Sequence, residues 1–96
     1  MADSIIQADR THCFICGGNG GYWGLDCHHC FGGSSRKLSE KYGLKIWICH
    51  DSCHLNGVHQ NAKLDRMVKQ TVQRRAMEIY GWDESQFINI FGKSYL

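Results

Sequence analysis

Two cysteine pairs, Cys13-x2-Cys16 and Cys49-x3-Cys53, constrain this chain more than any other feature. Pairs so spaced supply four soft thiolates, the donor set of a tetrahedral zinc site that is closed to water and therefore structural. Gly17-Gly18 after the first pair suits a tight turn of backbone around an ion. A competing set joins Cys13 and Cys16 to Cys27-x2-Cys30 as a compact ribbon-like knuckle. The sequence favours the first set, because Cys27 and Cys30 flank paired histidines in a predicted strand. There they read as small buried hydrophobes. A domain of 96 residues has room for one core, burying roughly 60–65% of its unfolded surface, and such small scaffolds usually need a staple.

The even count of six cysteines also permits a secreted disulfide scaffold. The N-terminal residues Met1 to Arg10 have neither the basic start nor the long apolar run of a signal peptide, so the expected setting is a reducing cytoplasm with free thiols. No apolar run approaches the roughly 20 residues that cross a bilayer.

Along the chain, residues 1–11 are polar and expected to form a flexible N-terminus, with one domain from 12 to 96. Leu25 to Phe31 reads as a strand, and Arg36 to Tyr42 as a short helix capped by Ser34 or Ser35 and stopped by Gly43. Leu44-Lys45-Ile46-Trp47-Ile48 alternates apolar and basic residues, a half-buried strand pattern. The chain is then expected to turn through Cys49 to His54. Leu64, Met67, Val68, Val72, Ala76, Ile79 and Tyr80 recur at helical spacing up to Gly81. Asp83 or Ser85 opens a last short helix carrying Phe87, Ile88, Ile90 and Phe91. Trp23, Trp47 and Trp82 read as core residues.

Charge is unevenly placed. Between Arg36 and Arg75, nine basic residues face three acidic ones, while each flank carries −2. Such a basic middle suits a polyanion. Arg36, Lys37, Lys63 and Arg66, with Lys69, Arg74 and Arg75, are candidates for tracking a nucleic-acid backbone; solvated helix faces are the plainer reading. His28-His29 and the later pair His54 and His59 each abut a cysteine cluster, which points to a second metal site.

The stretch Asp26-Cys27-His28-His29-Cys30-Phe31-Gly32-Gly33, then Arg36-Lys37-x-Ser39-Glu40-x-Tyr42-Gly43-Leu44, resembles the HNH nucleases common in bacteriophage and prophage genomes. So do Cys49, His54 and Gly57-Val58-His59, and the tail Phe87 to Leu96 with Phe91-Gly92-Lys93-Ser94-Tyr95. The resemblance covers residues 13–96. It implies a small α+β fold, a zinc-stapled ββα-metal hairpin–helix core with additional C-terminal helices. It further implies a single-metal DNA endonuclease in which His28 binds the ion, His29 is the general base, and His54 and His59 complete the ligands. The implied catalytic ion is Mg²⁺ or Mn²⁺, with Zn²⁺ or Ni²⁺ as alternatives. The implied partner is DNA, gripped largely through its phosphates; a homodimer is one way to cut both strands. The implied location is the cytoplasm of a bacterial or phage-infected cell. The motif's middle asparagine is missing: Leu44 stands in its place, and Ser39, Asn56 or a backbone carbonyl are the candidate substitutes. A non-catalytic zinc module binding nucleic acid or protein is the alternative function.

Overall fold

The computed structural model, which describes residues 3–96, realises the strand signals as a two-stranded antiparallel hairpin with a helix inserted between its strands. Strand β1 spans Leu25–His29, helix α1 Arg36–Tyr42 and strand β2 Lys45–Cys49. The register pairs Leu25 with Cys49, His28 with Ile46 and His29 with Lys45. A π-helical segment (His50–Val58) follows directly, then α2 (Ala62–Tyr80) and α3 (Glu84–Phe91). The fold is thus a small α+β arrangement, and none of its described helices is long and apolar enough to cross a membrane.

Local chemistry explains most boundaries. Asn61 caps α2 by accepting from the Leu64 N–H, and Asp83 with Gln86 forms a reciprocal capping box on α3. Gly43 ends α1 with φ +72°, and a Cβ there would lie 2.3 Å from the Asp3 carbonyl, so both conformation and space require glycine. Ser35 occupies the N-cap of α1 but its side chain makes no capping bond.

Three readings of the sequence need correction. Cys49 to His54 is not a simple turn, because residues 50–58 form a π-helix whose wider i→i+5 pairing includes the His59 N–H to the His54 carbonyl, at 3.2 Å. Strand β2 is buried almost throughout, not half-buried. Residues 4–14 cover its outer edge: Ser4 Oγ donates to the Lys45 carbonyl, the Trp47 N–H donates to Gln7 Oε1, and the Phe14 N–H donates to the Trp47 carbonyl. From Ser4 onward the N-terminal residues thus lie along the sheet and shield the strand edge; residues 1 and 2 lie outside the described part. Finally, of the three tryptophans only Trp82 packs against the core, at its margin. Trp23 is 63% exposed, and Trp47 and Trp82 are half-buried, Trp82 stacked on Tyr80 at 4.7 Å.

The core gathers Leu44, Ile46 and Ile48 of the hairpin against Val68, Val72 and Ala76 of α2 and Phe87 and Phe91 of α3. Of the apolar residues in the α2 stripe, Met67, Ile79 and Tyr80 lie mostly outside this contact and are exposed. Phe31 sits among Phe87, Phe91 and Tyr95, with ring centroids 5.0–5.5 Å apart. The buried Gln73 amide satisfies itself on the C-terminal tail, donating to Ser94 Oγ and accepting from the Tyr95 N–H. This packing holds α2 against the hairpin and so fixes one wall of the site.

Candidate metal centres and cleft

The sulfurs of Cys13, Cys16, Cys49 and Cys53 lie within 4.8 Å of one another, a cluster able to hold a structural metal such as zinc. Hairpin geometry explains the convergence. The Cys13–Gly18 turn closes through the Cys13 N–H to the Gly18 carbonyl and is anchored to β2 at Phe14, while Cys49 ends β2 and Cys53 follows one turn later. Burial opposes ionisation of Cys13, but the backbone N–H groups of Cys16, Cys49 and Ile15 outweigh it and bring the thiol down to about 6. Burial pushes Cys53 up to about 12, with the neighbouring thiols adding to the shift. Four sulfurs facing each other in this way want a cation at their centre. Cys27 and Cys30 belong to neither cluster: Cys30 is buried, as a small hydrophobe should be, but Cys27 is exposed, contrary to expectation.

The second cluster lies within 4.8 Å as well and consists of His28, His54 and His59. Alternation along β1 places Asp26 and His28 on one face. The wide turn of the π-helix sets His59 beside His54, their Nε2 atoms 2.9 Å apart. Asp26 Oδ2 is bonded to both His50 Nδ1 (2.6 Å) and His54 Nδ1 (2.8 Å). Burial disfavours its ionised carboxylate, yet the His54 and His50 bonds outweigh that and hold the group below the usual carboxylate range. An ionised Asp26 accepts the Nδ1–H of His54, so the neutral His54 ring carries its lone pair on Nε2. A hydrogen bond between His54 and His59 alone would account for their contact. It would not account for His28, whose Nε2 is buried without any partner. Burial, with His54 and His59 nearby, pushes His28 down to about 4, so it is a neutral imidazole at physiological pH. A buried orphan nitrogen beside two further imidazoles fits a metal ligand set, with Asp26 as its outer support.

Both centres border a hairpin that also presents His29. His28, His29, His54 and His59 all line one cleft of about 670 Å³, together with Cys27, Arg36, Asp65 and Lys69. Although neighbours in a strand alternate in direction, both histidines of β1 reach it. His29 Nε2 contacts Glu40 Oε2 at 2.9 Å, and the same oxygen accepts from the nearly buried Lys45 Nζ at 2.9 Å. Of the residues considered for binding a nucleic-acid backbone, Arg36 lines the cleft; Lys37, Lys63 and Arg66 are exposed and stand outside its lining. Lys69 lines it, held by Asp65 at 2.9 Å.

The sequence reading missed Asp26, His50 and Glu40 as site residues. Asp26 carried a usable signal, since it lies two residues before His28 and so on the same strand face. Comparison with family models, with curated proteins and with solved structures returned no match.

Proposed function

We propose that this chain is a metal-dependent DNA endonuclease of the ββα-metal, HNH kind, with zinc in the Cys13, Cys16, Cys49 and Cys53 cluster. The observation that carries the reading is the buried, unpartnered His28 Nε2 facing His54 and His59 in a cleft that His29 shares. The order of hairpin, then helical segment bearing His54, agrees with it. His28, His54 and His59 would hold the hydrolytic ion, Mg²⁺ or Mn²⁺ for activity, with Zn²⁺ or Ni²⁺ also suited to imidazole donors. When bound, that ion neutralises phosphate charge and stabilises the leaving oxygen.

The rest falls to the chain's own side chains. His29 has Nε2 committed to Glu40, leaving Nδ1 to take a proton from water as the water oxygen attacks phosphorus. Arg36 and Lys69 line the same cleft and would hold phosphates next to the scissile one, which would position a duplex without reading its sequence. Asp26 fixes the ring of His54. A single cleft cuts one strand, so the product from a supercoiled plasmid is the nicked circle unless two copies of the chain act together.

The test is metal counting joined to plasmid nicking. Purified protein is expected to carry two metals per chain when saturated, one resisting a chelator and one stripped by it. Nicking should need the second, and added Mg²⁺ or Mn²⁺ should restore it. A single metal per chain with no cleavage under either ion would overturn the proposal in favour of a non-catalytic zinc module. Asp26→Asn probes the outer support separately: it should weaken ion binding at the histidines by about 10–100-fold, read by titration calorimetry with Mn²⁺. Unaltered affinity in that variant would remove Asp26 from the site.

A further inference from the structure

We propose that Glu40, held between His29 and Lys45, is the positioning residue of the general base, at a site where the motif's asparagine is missing; this rests on the nuclease reading above. The candidates visible in the sequence are engaged elsewhere. Ser39 Oγ is buried, accepting from the Phe31 N–H and donating to the Phe31 carbonyl. Asn56 binds Asp51 through its amide nitrogen, and the backbone carbonyl at the asparagine's position, that of Leu44, accepts from the Cys30 N–H at 3.0 Å.

The hairpin register dictates the arrangement. His29 and Lys45 are directly opposed across the strands and so share a face. Helix α1, inserted between those strands, delivers Glu40 to that face, where one oxygen serves both partners at 2.9 Å. The Lys45 side chain is only 4% exposed, so its ammonium requires an anion. A neutral amide at position 40 would not meet that need. The Lys45 and His29 bonds in turn hold the Glu40 carboxyl ionised. A carboxylate can only accept, so His29 places an N–H on Nε2, and the neutral ring then carries its lone pair on Nδ1. As Nδ1 takes the proton from attacking water, the ring becomes an imidazolium, and Glu40 faces the charge that develops. Glu40 is not part of the cleft lining, so it acts through His29 and not on the substrate.

The experiment uses the zinc-loaded full chain. Because Glu40→Ala alone strands a buried ammonium, the informative variant is the double substitution Glu40→Ala with Lys45→Met. Two readouts apply: the exchange-protected His29 ring N–H in ¹⁵N-edited proton NMR at neutral pH, assigned by its loss in His29→Ala, and the kinetics of Mn²⁺-dependent plasmid nicking. Wild type and Lys45→Met, which keeps the carboxylate, should both show the resonance, and the double variant should lose it. In the double variant kcat should fall by about 10²-fold with KM within about threefold, the signature of a misaimed group and not of lost binding. Persistence of the resonance in the double variant, or wild-type kcat, would overturn the proposal. A wild-type protein that shows the Glu40-dependent resonance but cleaves no DNA would support the positioning pair and overturn only the nuclease reading.

Discussion

Cys13→Ser is expected to leave the chain without a cooperative thermal melt and with less than one tightly held zinc per molecule. A structural zinc in a small domain contributes roughly 10–16 kcal/mol of apparent binding energy near neutral pH, whereas a whole domain is stable by only about 5–15 kcal/mol. The rest of this fold cannot make up such a loss. Its sheet has two strands, too few to stand alone. The cysteine cluster joins the Cys13–Gly18 turn to the end of β2 and to the π-helical segment, which no other side-chain bridge links to that turn among the described residues. The loss should also travel. Cys53 and His54 are adjacent in one helical segment, so a segment freed at Cys53 no longer presents His54 and His59 to His28. Mn²⁺ binding at the histidines should therefore disappear together with the fold. A melt of Cys13→Ser that superimposes on wild type would show that the thiols hold nothing of structural weight.

How far the sequence disclosed all this depends on the range of each interaction. The end of α1, the end of α2 and the start of α3 are readable, because Gly43, Gly81 and Asp83 act within a few residues. The choice of Cys49 and Cys53 over Cys27 and Cys30 was also readable, since a strand flanking His28 and His29 leaves those two cysteines on either side of the pair. What could not be read was anything set by the packing of distant segments. The i→i+5 helix at 50–58 has no apolar period that separates it from a loop, and only its coordinates reveal why His54 and His59 meet. The burial of β2 needed the N-terminal residues to fold back along it, and polar residues such as Ser4 and Gln7 announce no such role. Glu40 reaches His29 across eleven positions through a strand register that the sequence does not spell out. Trp23 misled because a tryptophan is ordinarily worth burying, yet it sits in a glycine-rich turn with little to pack against beyond Tyr22 and His50.

His29→Ala should lower the rate of Mn²⁺-dependent plasmid nicking by about 10²–10⁴-fold, the range expected when a general base is removed. The variant is informative because the structure separates His29 from both the cysteine and the histidine clusters. It is absent from the cysteine group and from the His28, His54 and His59 group, so zinc content and Mn²⁺ affinity should stay at wild-type values. Folding should survive too. Removing the ring strands no partner, since Glu40 keeps its bond to the Lys45 ammonium, and the vacated space borders the open cleft and not the sealed core. His54→Ala gives the contrasting pattern, in which activity and Mn²⁺ binding at the histidines are lost together. The pair of variants thus splits proton transfer from ion binding, which neither metal counting nor cleavage assays on wild type can do. Nicking by His29→Ala at the wild-type rate, with both metals in place, would remove His29 as the base and send the search to other groups of the cleft.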